Sequence, residues 1–195
     1  MLSLKLKKSL YFPGRFQPLT ISHYNIANKL SNDYEVIFLP VRVILPNGEP
    51  IINKDYPFLI EEQKEMFELL GQKYEFFLIE PPYIDVLKQK KKFDLVYMGG
   101  NNWIKRKVYG YFAKQLIVNN RYNGPSASQV RECYLSNCDL WEKYVPKTIV
   151  PYLRNIRELV KTRIKKPNVK TIKIYDFSIP LSLKILRGIF SKKDV

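Results

Sequence analysis

The segment Tyr34–Val43, YEVIFLPVRV, is almost continuously apolar. A strand with one wet face alternates apolar and polar side chains, so a run without that alternation has to be covered on both faces. Helices packed on either side of a parallel sheet provide such cover, which points the chain towards an α/β layer architecture. Pro40 sits within the run and donates no ladder hydrogen bond, so the strand is expected to end or bulge there.

The rest of the chain can be divided around that strand. Leu6–Pro13 reads as a first strand that stops at Pro13 and delivers Gly14 into a turn. His23–Leu30 follows with Ile26, Ala27 and Leu30 on one helical face. Leu45–Tyr56 contains Pro46, Asn47, Gly48 and Pro50, and is longer than α/β connections need, which marks it as a substrate-facing segment. Leu59–Leu70 has helical spacing through Ile60, Met66, Phe67 and Leu70 before Gly71. Tyr74–Glu80 and Phe93–Met98 are the third and fourth strands, with a short helix or turn at Ile84–Lys92 between them. Trp103–Ala113 reads as helix, Gln115–Val118 as a short fifth strand, Ser128–Leu135 as helix, and a further helix follows Pro146. The expected fold is therefore a doubly wound parallel α/β sheet of about five strands.

Texture divides the chain near residue 160. Residues 161–195 hold ten Lys or Arg against two Asp, which is +8 of a total formal charge of +15. We expect residues 1–160 to form the main domain and residues 161–195 a basic appendage that packs on it or on a partner subunit. Its Asn168–Tyr175 segment has the pattern of an edge strand, and Leu181–Phe190 carries an apolar stripe. No apolar run approaches the roughly 20 residues that span a bilayer, so a soluble cytoplasmic protein is expected. Cys133 and Cys138, five apart around a helix, match neither a redox dithiol pair nor a zinc knuckle. With one histidine and two cysteines the chain does not compose a typical zinc centre, so no protein-held metal is expected.

Chemistry concentrates at two places. At the end of the first strand, Gly14 allows close backbone approach, Arg15 offers a planar fork of donors suited to phosphate, and Thr20 and His23 stand at the following helix entrance. His23 is the only imidazole: protonated or hydrogen-bonding, it can bear charge developing on a phosphate, or it can simply cap and pack its own helix. Near the end of the domain, Gly124 and Pro125 form a turn, Ser126 and Ser128 suit a helix entrance, and Arg131 lies one turn further on. A third group, Asn101 and Trp103, follows the Gly99–Gly100 pair, where an indole can stack an aromatic base or pack in a core.

These stretches resemble one known superfamily. GRFQPLTISH, Gly14–His23, is similar to the nucleotide-binding signature of the nucleotidylyltransferases, with Thr20 at its first conserved position and His23 at its last; Ser22 stands where glycine is usual. SASQVR, Ser126–Arg131, resembles the second signature of that family. WEKYVPKTIVPYL, Trp141–Leu153, and NNW, Asn101–Trp103, look like the archaeal nicotinamide-mononucleotide adenylyltransferases. YPFLIEEQKEM, Tyr56–Met66, is a partial match, with Tyr56 and Gln63 in place of the family's asparagine and arginine. The resemblance covers about residues 8–157.

It implies a Rossmann-like fold and adenylyl transfer from ATP to nicotinamide mononucleotide. His23, Arg15 and Arg131 would act on the phosphates, and Gly14, Phe16, Thr20, Ser126 and Ser128 would bind the nucleotide. Trp103, Asn101 and Arg121 would receive the acceptor, Mg²⁺ would arrive on the phosphates, and the enzyme would be a homo-oligomer. Two alternatives stand beside this reading. One is nucleotidyl transfer to another phosphorylated acceptor, and the other is a nucleic-acid-binding protein that retains the fold and uses its positive charge.

Overall fold

Five strands form one wholly parallel sheet in the order β3-β2-β1-β4-β5, in a computed structural model that describes residues 7–45, 47–79, 93–99, 110, 113–119 and 124–168. The strands are β1 (Lys8–Gly14), β2 (Tyr34–Val43), β3 (Phe77–Ile79), β4 (Phe93–Gly99) and β5 (Ala113–Asn119). Four α-helices occur among the described residues: α1 (Ile21–Leu30), α2 (Ile60–Leu69), α3 (Ala127–Leu135) and α4 (Val150–Ile164). The expected α/β class and strand count are both found. Order reverses between β1 and β4, so the ligand crevice of such a sheet lies outside the C-terminal ends of these strands.

β2 runs unbroken through Pro40, contrary to the expected end or bulge. The reason is the position of the proline. Residues 34–40 pair with β1, whereas residues 41–43 pair with β3, and Pro40 faces Gly14 at the last step of the first ladder. Its missing N–H falls where the strand changes partners.

Three other expectations are corrected. β3 is only Phe77–Ile79, with Tyr74 joined to Phe38 by an isolated bridge. Ala113, read as the end of a helix, starts β5. Pro146 precedes a short 3-10 turn, Lys147–Ile149, and it is Pro151 that occupies the first turn of α4. The proposed helix or turn at Ile84–Lys92, most of Trp103–Ala113 and the stripe Leu181–Phe190 lie outside the described residues.

Two apolar clusters position the site. One lies between the sheet and α1 and includes Leu10, Phe12, Phe16, Ala27, Phe38 and Phe67. The other gathers Phe58 and Met66 with Val130, Tyr134, Trp141, Ile149 and Leu153, which joins α2, α3 and α4. Fully burying one such side chain stabilises by about 1.5–3 kcal/mol, so α3 is anchored through its inner face while its N-terminus remains at the surface. Cys133 and Cys138 are joined in a disulfide, a pairing that the spacing did not bring out. Cys133 ends one face of α3 and Cys138 follows the turn beyond it, so the chain reverses and brings the two Cα atoms to 5.0 Å.

α4 continues past residue 160 to Ile164. Arg163 makes a paired contact with Glu62, with both guanidinium Nη atoms within 2.7 Å of its carboxylate, and Asn168 bonds the backbone at Pro50 and Ile52.

Candidate active site

The first signature is built around a tight turn. Phe16 adopts a left-handed backbone, with φ of 48°, and its ring folds back into the core at 2% exposure. A Cβ at Gly14 would lie 2.8 Å from that ring, so here glycine is required by close packing of side chain on backbone. Packing of the Phe16 ring is thus a reason for glycine here that is separate from the approach to phosphate expected from the sequence. The ring of Phe16, a residue of the expected nucleotide-binding set, packs against Phe12, Phe38, Phe67 and His23.

Gln63 holds the same turn from α2. It is fully buried, and its amide donates to the carbonyls of Arg15 and Phe16 at 2.8 and 3.0 Å. The departure from arginine at this position is thereby given a local function: a neutral amide of this length satisfies two backbone carbonyls without burying a charge.

Thr20 caps α1 and is 1% exposed. Its backbone N–H donates to His23 Nδ1 at 3.2 Å, and its hydroxyl lies 2.8 Å from the same nitrogen. Nδ1 is therefore an acceptor, and the neutral ring carries its proton on Nε2. Burial among Phe12 and Phe16 holds the imidazole pKa down at about 4, well below its ordinary value. The Thr20 N–H bond is the helix-capping contact that the sequence left open for His23, and the lowered pKa leaves the ring neutral at pH 7 with Nε2–H as its donor. Thr20 orients that donor with a hydroxyl that is itself buried.

The second signature starts α3. Ser126 is its cap: its hydroxyl accepts from Gln129 N–H at 3.2 Å, and Gln129 returns an acceptor to Ser126 N–H at 2.8 Å. Ser128 Oγ accepts from Arg131 Nη2 at 3.3 Å. Arg131 is 4% exposed and also donates to the Gln17 carbonyl at 3.4 Å and to Asp55 Oδ1 at 3.0 Å. Its pKa is lowered, first by burial and then by the positive charge of Arg15.

Arg15 reaches the same Asp55 oxygen at 3.5 Å. Two stretches more than one hundred residues apart thus meet on one carboxylate, at the C-terminal ends of the strands beside the order reversal. Asn101, Trp103 and Arg121, expected to receive the acceptor, lie outside the described residues.

Sequence reasoning missed Asp55, Gln17, Gln63 and Arg42. The long loop was marked as substrate-facing, and it does present Asp55, but the residue itself carried no signal. Arg42 did carry one: it is a cation inside an apolar strand. It is fully buried, donates to the carbonyls of Phe58 and Ile51 at 2.9 and 3.3 Å, and lies 5.5 Å from the Tyr56 ring centre. Burial lowers its pKa to about 10, so it remains a cation at neutral pH.

Residues 11–133 match the model of the cytidylyltransferase-like family. The chain belongs to that family. The matched span runs from β1 to the end of α3 and contains both signatures. Among curated proteins, the chain is 25% identical over 162 residues to nicotinamide-nucleotide adenylyltransferase 1 of Sulfolobus acidocaldarius, covering 75% of this chain and 89% of that one. Among solved structures, it superposes on the bifunctional NMN adenylyltransferase/ADP ribose pyrophosphatase of Francisella tularensis, in a crystal with AMP and a Mn ion. The TM-score is 0.54 at 18% identity, over 82% of this chain and 52% of that one, so this chain spans about half of the bifunctional protein. A second crystal structure of that protein gives 0.53 at 16% identity. These superpositions show that the cytidylyltransferase-like chain has the fold of its solved neighbours. No helix among the described residues is long and apolar enough to cross a membrane.

Proposed function

We propose that this chain transfers the adenylyl group of ATP to the 5′-phosphate of nicotinamide mononucleotide, forming NAD and releasing pyrophosphate. The observation that carries the reading is the convergence of Arg15 and Arg131 on one point, with the neutral donor His23 on the helix that follows Arg15. The archaeal relative, named as a nicotinamide-nucleotide adenylyltransferase, supports the choice of acceptor.

The chemistry needs little proton traffic. An oxygen of the acceptor phosphate is already ionised; it attacks the α-phosphorus as the bond to the bridging oxygen breaks, and pyrophosphate departs with the electron pair. Arg15 and Arg131 neutralise the β- and γ-phosphates, and His23 donates Nε2–H to an α-phosphate oxygen, where charge builds. A neutral donor suits this step, since its hydrogen bond strengthens as charge develops while its proton stays on the ring. Ser126, Ser128 and the backbone at Gly14 line the nucleotide side.

Mg²⁺ enters as part of the substrate, held by the phosphates. Asp55 is the carboxylate that faces both arginines, and any direct contact from it to the ion would compete with them. On the acceptor side, Trp103 stacks the nicotinamide, Asn101 reads its amide and Arg121 binds its phosphate. The enzyme is a cytoplasmic homo-oligomer in this reading.

The test is incubation of the purified full chain with ATP, Mg²⁺ and a panel of phosphorylated acceptors, with pyrophosphate followed and the adenylylated product identified by mass. Release of pyrophosphate with NAD as product is expected. Pyrophosphate with a different acceptor would move the reading to the alternative transferase, and its absence with every acceptor would overturn it.

A further inference from the structure

Resting on that reading, we infer that Asp55 is an internal stand-in for substrate phosphate: it keeps Arg15 and Arg131 convergent before nucleotide arrives, and the triphosphate displaces it. Three observations carry this. A single oxygen, Oδ1, serves both arginines, at 3.5 Å from Arg15 and 3.0 Å from Arg131, so one side-chain rotation breaks both contacts with the carboxylate. The Asp55 side chain is 35% exposed whereas that of Arg131 is 5% exposed, so the carboxylate has a path into water and the buried arginine has none. The backbone beneath it is fixed from several directions.

Asn53 Oδ1 accepts from the N–H groups of Asp55 and Tyr56 at 2.8 and 3.0 Å. Arg42 ties the carbonyls of Ile51 and Phe58 on either side, and Gln17 accepts from Phe58 N–H at 3.0 Å. Arg163 and Asn168 hold Pro57, Pro50 and Ile52 from the far end of the chain. A loop clamped in this way can move its Asp55 side chain while the backbone stays in place.

The physical logic is charge balance. Two guanidinium groups aimed at one point repel each other, an effect that adds to burial in lowering the pKa of Arg131, and an anion between them relieves that repulsion. A carboxylate does so with one negative charge; a triphosphate brings more and exchanges one charge-assisted contact for another. Asp55 therefore sets an affinity threshold: it preorganises the pair and charges the incoming anion the cost of removing it.

The experiment compares wild type with Asp55→Asn and Asp55→Ser, measuring calorimetric binding of MgATP and of inorganic tripolyphosphate, together with the melting temperature of each ligand-free protein. Removing one negative charge a few ångströms from the anion is expected to tighten both ligands by about three- to tenfold, with a lower melting temperature for the ligand-free variants. The melting curves establish that each variant is folded, and Ser serves if Asn does not fold. Unchanged or weaker binding by a folded variant, with wild type binding normally, overturns the role of Asp55 and leaves the transferase reading intact. Failure of wild type itself to bind either ligand overturns the transferase reading.

Discussion

His23 and Arg131 stand near the starts of α1 and α3, and their neighbours differ in kind. His23 is set by Thr20, three residues away, and by the rings of Phe12 and Phe16. Arg131 is set by Asp55 and Gln17, at sequence separations of 76 and 114. One half of the site is preorganised by its own stretch of chain; the other exists only when the loop, the first turn and α3 have all come together. The surroundings differ likewise: an apolar shell keeps the imidazole uncharged, whereas hydrogen bonds and a carboxylate allow the guanidinium to stay charged under burial.

The contrast predicts where substitutions do most harm. Arg131→Ala removes the group that unites three segments and should lower kcat/KM by about 10³-fold, within the 2–5 kcal/mol typical of a truncated buried charged partner. Arg131→Lys should recover little of that loss, because a single ammonium cannot serve Asp55, Ser128 and Gln17 together. Steady-state kinetics with ATP varied checks both, and wild-type kinetics in the alanine variant would remove the tertiary half of the comparison.

His23→Ala should lower kcat by about 10²–10³-fold while leaving the KM for ATP close to wild type, as expected for a donor used mainly in the transition state. A rise in KM with unchanged kcat would instead make it a ground-state contact.

Gly14→Ala forces a Cβ to within 2.8 Å of the Phe16 ring and should cost about 1–3 kcal/mol, the range for an overpacked core. At about 2–4 °C per kcal/mol, that is a drop of several degrees in Tm, readable by calorimetry. No change in Tm would show that Phe16 can leave the turn.

The remaining effect is in pH. The folded state holds the His23 pKa near 4 against an ordinary 6.5, so the unfolded chain takes up a proton between those values that the folded chain refuses. The contribution of His23 to stability is fully present above pH 6.5, falls as the pH is lowered towards 4, and is constant below that. His23→Gln should flatten this part of the stability curve relative to wild type in denaturant titrations at pH 4.5 and 7. Parallel curves would mean that the imidazole is solvated.

Much of the fold could be read along the chain because its signals are local. The Tyr34–Val43 run matched β2 residue for residue, and α1, α2 and α3 were found within two residues or fewer of their observed starts. Pro40 misled because proline is judged against a strand with the same neighbour throughout, whereas β2 changes neighbour at that residue. Within the site, Thr20, His23 and Arg131 were visible as residue types at spacings that a helix start explains. Ser126 was legible at its helix entrance, where it is the cap, but that the Thr20 hydroxyl faces the imidazole was not. Asp55 was invisible because nothing in its neighbourhood distinguishes it from any other loop carboxylate. Gln63 appeared only as a departure from the family pattern.

What the chain alone determined is the repeating strand and helix pattern, and with it a parallel sheet whose C-terminal edge collects Gly14, Arg15 and the start of α1. Hydrophobic period and turn residues act over a few neighbours, so they are written in the order in which they act. The tertiary structure decided the protonation of His23, the burial of Arg131 and the meeting of both arginines on Asp55. Desolvation and Coulomb forces depend on distance through space, and that distance comes into being only when residues 15, 55 and 131 are folded against one another.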